Sequence, residues 1–173
     1  MTQEAPAKSQ LPAAGLVDEI RQAIPGIPFE AAETTTDVDL SVEASQLKAF
    51  VEGLRDKLGF DFLRNIVGID FEAEGMALKY QLYSFKSNRA LQLTVLTAAG
   101  HPHVPSLVDL YPAADWHERE AAEMLGFIFD GHPNLKNLLL EEDLHIHPLL
   151  KAHPLQQAEI LQGIESGPPG FPS

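Results

Sequence analysis

The stretch ADWHEREAAEMLGF, residues 114–127, sets His117 against Glu118 where the pattern predicts the start of a helix. A helical His-Glu pair is half of a zinc-hydrolase arrangement. The other half is a second histidine four residues on, so that both imidazoles leave one face toward the metal while the glutamate serves as general base. Position 121 is alanine, so the second ligand is missing. All seven histidines lie between positions 101 and 153, and two pairs have His-x-His spacing, His101/His103 and His145/His147. Residues i and i+2 share a strand face, so such pairs can chelate a metal. Pro102 interrupts one pair, Pro148 follows the other, and no acid completes a ligand set. Loop or partner-contact roles suit them better, and a metalloenzyme built on these histidines is the remote alternative. The sequence has no G-x-S-x-G elbow, P-loop or G-x-G-x-x-G turn, so nucleophilic and nucleotide chemistry are not signalled.

The helix carrying His117 is framed by local signals. Asp115 is placed to act as N-cap, Glu118 to stand at N3 as in a capping box, and Gly126 to supply the terminating turn. Arg119 and Glu123, four apart, read as an ion pair along one arc. Glu120 projects between Trp116 and Met124. It is either an acid snorkelling at the core edge or a carboxylate aimed at a donor on another protein.

These residues need elements to hold them. A chain of 173 residues, 45% hydrophobic, suits one domain with a substantial core. A net charge of −13 with no basic stripe argues against nucleic acid or anionic membrane surfaces as partners. Cysteine is absent, which excludes disulfides and thiolate-held clusters within the chain. No apolar run approaches the ~18 residues of a spanning helix, and the first residues show neither a secretory nor a transit pattern. Six of the 13 prolines fall after Gly131 and none lies from Phe29 to His101. The expected organisation is a disordered leader over 1–12, a core domain over 13–130, and an extended Pro-rich arm over 131–173.

Apolar spacing predicts helices over 14–24 and 47–58 and a strand over 37–42. FDFLRNIVGIDF, apolar on both faces, reads as a central strand. Two alternating strands follow, separated by short turns at 72–75 and 86–89 that suit antiparallel hairpins. The fold class is α+β, a small mixed or antiparallel sheet of about four strands with helices on one face.

The segment EREAAEMLGFIFDGHPNLKNLLL resembles the signature of the thirty-kilodalton subunit of NADH–quinone oxidoreductase, respiratory complex I. The matching residues are Glu118, Arg119, Glu120, Glu123, Met124, Leu125, Gly131, His132, Pro133, Lys136, Leu138 and Leu139. The Ala-Asp-Trp approach and the strand LGFDFLRNIVGIDF extend the likeness over about 14–155. The tail departs from the family pattern at Leu144, Leu150 and Ala152, which suggests a divergent branch. The resemblance implies a non-catalytic scaffold in the hydrophilic arm of a proton-pumping enzyme that passes electrons from NADH to quinone. It implies no cofactor in this chain, with FMN, Fe–S clusters and quinone on other subunits. The implied partners are the large quinone-site subunit and the terminal-cluster subunit, on the cytoplasmic face of the membrane. The residues expected to face them are Trp116, Glu118, Arg119, Glu120, Glu123, His132, Pro133, Lys136, His147, Pro148 and Lys151. The alternative is the equivalent subunit of a membrane-bound group 4 hydrogenase or another complex-I-like enzyme.

The purified chain is expected to hold no stoichiometric zinc, iron or nickel by elemental analysis. One metal per chain that survives dialysis, and disappears when His145 and His147 become Ala, would overturn the scaffold reading.

Overall fold

A computed structural model describes residues 13–33, 38–98, 100, 102–141 and 146–152. Its elements run α1 (Ala13–Ala23), β1 (Glu30–Glu33), β2 (Val38–Ser41), α2 (Leu47–Leu58), β3 (Phe62–Asp70), β4 (Met76–Ser84), β5 (Arg89–Thr97), β6 (His103–Pro105), α3 (Ala114–Leu125) and β7 (Ile128–Asp130). The leader expected over 1–12 and the arm beyond 152 lie outside the described residues. The main sheet has five strands in the order β1-β2-β5-β4-β3, and β6 with β7 forms a second, two-stranded parallel sheet. β3, β4 and β5 make two consecutive antiparallel hairpins, while β2 lies parallel to β5. The mixed α+β class is therefore as expected, with more strands than the four anticipated.

Period-two alternation decides the sheet's two faces. Leu40 of β2, Leu78, Tyr80 and Leu82 of β4, and Leu91, Leu93 and Val95 of β5 all point inward and are buried. Leu47, Phe50, Val51 and Leu54 of α2 close over them, with Leu16, Val17 and Ile20 of α1 beside. The other face carries half-exposed polar residues, among them Lys79, whose ammonium lies 2.9 Å from Asp39. Asp39 also accepts from Gln92 and Thr94, and these donors with Lys79 hold its carboxyl below the usual range against the opposing effect of burial.

β3 is an edge strand, not the central strand its apolar sequence suggests. Its inward residues are covered by α3, and that contact needs Gly68. A Cβ there would run into Leu125 Cδ1 and lie 3.0 Å from Phe127 Cε2. At the outer end, Phe62 and Tyr83 each pack against Phe85. Both faces of an edge strand can thus be apolar with a neighbouring strand on one side only. β1, with sequence Glu-Ala-Ala-Glu, has no apolar alternation to announce it and is stabilised by pairing with β2.

Gly68→Val is expected to destabilise the chain by roughly 1–3 kcal/mol through overpacking against Leu125 and Phe127. Gly15→Ala, where a Cβ meets nothing within 4 Å on an exposed helix position, should be neutral or slightly stabilising. Denaturant midpoints of the two variants would check this. Equal midpoints would show that β3 and α3 are less closely packed than their geometry indicates.

Candidate functional site: the charged face of helix α3

Helix α3 begins without a side-chain cap. Its N-cap residue is Ala113, itself in helical conformation, not Asp115. The turn before it already satisfies the early amides, with Tyr111 N–H donating to Leu107 O at 2.8 Å and Ala114 N–H to Tyr111 O at 2.9 Å. Glu118 is consequently free of the capping-box role and turns inward. It is fully buried, with Oε2 accepting from Ser106 Oγ–H and Oε1 from Leu107 N–H, both at 2.7 Å. Burial pushes the Glu118 carboxyl up to about 7, although Leu107 and Ser106 favour its ionised form; Asp115 and Asp109 add to the rise. The wholly buried Tyr80 phenol is held neutral by burial and, to a lesser degree, by the charge of Glu118.

His132 completes this cluster from the segment after β7. Its imidazole is fully buried, with Nε2 lying 3.2 Å from Asp115 Oδ1 and 3.9 Å from Glu118 Oε2. Nδ1 accepts the Asn134 backbone N–H at 3.0 Å, so in the neutral ring the proton sits on Nε2 and faces the acids.

One turn further along α3, Arg119 and Glu123 hold a single strap of chain. Arg119 donates from Nε to Lys136 O at 2.9 Å and from Nη2 to Asn137 O at 3.0 Å. Glu123, almost fully buried, accepts the amides of Leu138 at 2.6 Å and Leu139 at 3.0 Å, with Leu140 at 3.5 Å. The expected Arg119–Glu123 ion pair is thus replaced by two separate grips. The cation takes two carbonyls and the anion takes the amides that follow them, so the helix reads the direction of the strap as well as its position.

The strap returns to α3 at its other end. His147 Nδ1–H donates to Glu123 O at 2.9 Å, and Leu149 N–H to Met124 O at 3.0 Å, satisfying carbonyls the last helical turn leaves open. Gly126 ends the helix in the left-handed region, φ 80°, as anticipated. A Cβ there would lie 2.8 Å from His147 Cδ2, so glycine also allows the imidazole its approach. Lys151 N–H then donates to Asp70 Oδ2 at 2.9 Å, and its ammonium stands 3.6 Å from Glu72.

Of the residues expected to face other subunits, Glu118, Arg119, Glu123, His132 and His147 are engaged within this chain, as is the backbone of Lys151. Trp116, Glu120, Pro133 and Lys136 are exposed, Trp116 to 65%. Pro148 is half-buried. Leu139, 66% exposed, projects from the strap along with Leu135, Ile146 and Leu149. Ser106, Leu107 and Asp70 are essential to the arrangement, and no local motif announces them. Among the described residues no three His, Asp or Glu side chains converge as a metal site. His103 lies 3.2 Å from Asp130; His101 and His145, the other members of the two pairs, fall outside the described residues.

A sheet with helices on one face, and a charged helix whose acids fasten its own return strap, defines an α+β module that presents an ordered apolar surface. Residues 40–159 match the model of the family described as the 30 kDa subunit of respiratory-chain NADH dehydrogenase, and the chain belongs to that family. It is 36% identical over 151 residues to the NADH-quinone oxidoreductase subunit designated C in Roseiflexus sp. strain RS-1, covering 85% of this chain and 87% of that protein. It is 38% identical over 142 residues to the same subunit of Mycobacterium avium, covering 79% of this chain but 59% of that longer protein. Among solved structures, a trypsin-resistant fragment of Nqo5 superposes with a TM-score of 0.59 at 26% identity, covering 70% of this chain and 98% of the fragment. A chain of an archaeal membrane-bound sulfane sulfur reductase shares the fold, with a TM-score of 0.74 at 18% identity, over 92% of this chain and 95% of its own length.

Glu118 generates a pH prediction. Its native value, about 7, lies above the ordinary 4.5, so the native chain binds this proton more tightly than the unfolded chain does. The resulting stabilisation is full below about 4.5 and is lost as pH rises through about 7. Unfolding free energy should therefore decline, on the order of 1–3 kcal/mol from this group, between about pH 5 and about pH 8. Glu118→Gln should flatten that decline in urea titrations; parallel curves for the two proteins would remove Glu118 as its source.

Proposed function

We propose that this chain works as the thirty-kilodalton subunit of an NADH–quinone oxidoreductase, a structural member of its hydrophilic arm that performs no bond-making step. The names of its relatives support the enzyme, and the engagement of the signature acids within the chain supports the structural role. On this reading FMN, Fe–S clusters and quinone reside on other subunits. The large quinone-site subunit and the terminal-cluster subunit are the neighbours, on the cytoplasmic face of the membrane. No described helix is long and apolar enough to cross a membrane, so attachment runs through those neighbours. The observation that carries the proposal is the strap. Backbone groups of residues 136–140 and Leu149 are satisfied on α3, while Leu135, Leu139, Ile146 and Leu149 are exposed, as are Trp116 and Glu120.

Glu120 gives the test. It is exposed in this chain, so Glu120→Ala should leave the melting temperature of the isolated protein nearly unchanged. In the assembled enzyme the carboxylate meets a donor across the interface, and its loss should weaken assembly by roughly 2–5 kcal/mol. NADH:quinone reductase activity in membranes should fall in proportion to the amount of assembled complex. A fully assembled but inactive Glu120→Ala complex would show that this chain takes part in the chemistry.

A further inference from the structure

The two edges of the main sheet are built differently. β1, at one edge, is four residues long. β3, at the other, is nine residues long and contains no proline or lysine. Its register with β4 skips Arg64, which bulges between Leu63 and Asn65, and then runs unbroken from Asn65–Gln81 to Asp70–Met76. Among the described residues, the backbone of β3 hydrogen-bonds only to β4. A strand paired on one side leaves every second amide and carbonyl pointing outward, and a long, apolar edge of this kind is a template for another strand. The side chains along it agree: Phe62 is 44% exposed and Val67 39%.

We infer that the outer edge of β3, over Asn65–Asp70, is a docking site for an extended segment of a different polypeptide, which adds to the sheet as a sixth strand. The unpaired backbone groups specify the occupant's conformation, because only an extended chain offers donors and acceptors at the matching repeat. Charge selects among candidates. A second copy of this chain would bring another net charge of −13 to the edge. Arg64 is exposed, its guanidinium 5.8 Å over the Tyr83 ring, with Phe62 and Phe85 alongside. It presents a cation on an aromatic floor, so the incoming segment carries an acidic residue near the bulge and apolar residues facing Val67. The bulge closes the strand's first end to regular pairing and thereby fixes where the added strand stops.

This rests on the chain being one subunit of a larger assembly. The test compares residue-resolved amide exchange in the full-length chain alone and in the assembly purified through a tag on this chain. In the free chain, alternate amides between Asn65 and Asp70 should exchange as fast as loop amides. In the assembly the same amides should slow by about a hundredfold or more, while those already bonded to β4 change less. Unchanged exchange in an assembly that contains NADH-oxidising subunits overturns the docking site and leaves the assembly intact. Recovery of this chain without other subunits overturns both. Slowing spread evenly over β3 and β4 would mean that a partner covers the sheet face without pairing, and would also overturn it. Protection that appears in the free chain as its concentration rises would identify a second copy as the occupant and exclude the different polypeptide.

Discussion

The described strap depends on a carboxylate taken out of water. Glu123 is almost fully buried, and an ionised group there is tolerable only if donors replace its hydration. The amides of residues 138–140 do so. The dependence is mutual, because that segment forms no helix or strand and its own polar groups need acceptors. Hydrogen bonds to a charged group contribute about 1.5–3 kcal/mol each, whereas removing the carboxylate would orphan several amides together. One side chain thus converts an irregular segment into a fixed surface. Arg119 enforces the same placement through the carbonyls of Lys136 and Asn137.

The same device operates on the other side of α3. Glu118 binds the segment after β6 through Ser106 and Leu107, and Asp115 meets His132 from the segment after β7. The helix is therefore a hub whose acids fasten chain arriving from both directions. Its apolar side, through Leu125, lies against Gly68 of β3. Packing locates the helix on the sheet, and the charges then locate the irregular segments on the helix.

Much of this is legible from periodicity and some of it is not. The helix at Leu47–Leu58 and the hairpins joining β3, β4 and β5 follow from spacing that reports burial directly. The sequence of β3 points to the sheet's centre because apolar residues on both faces read alike whether or not both are covered; α3 covers one, while Phe62 and Val67 stay largely exposed on the other. An aromatic cluster and a helix end leave the same trace as flanking strands. Asp115 and Glu118 fit a capping box, yet the preceding turn already satisfies the amides such a box serves. Arg119 and Glu123 stand at ion-pair spacing, but local spacing carries no information about a strap 15 to 18 residues onward. The signature is readable as a pattern without revealing that its acids turn inward.

That inward direction changes what the charged motif means for assembly. A run of exposed acids would make an interface that salt screens and whose side chains must be ordered on binding. Here Glu118 and Glu123 are already buried, and Glu123 fixes the backbone of the strap, whose Leu139 presents apolar surface. An interface prepared in this way loses less conformational entropy on association, because the strap's backbone is fixed before contact. On the proposed reading, the acids act on assembly at one remove, through the shape they hold. If the chain assembles as proposed, direct contact falls to Trp116, Glu120 and the strap's outward side chains, which are exposed in this chain.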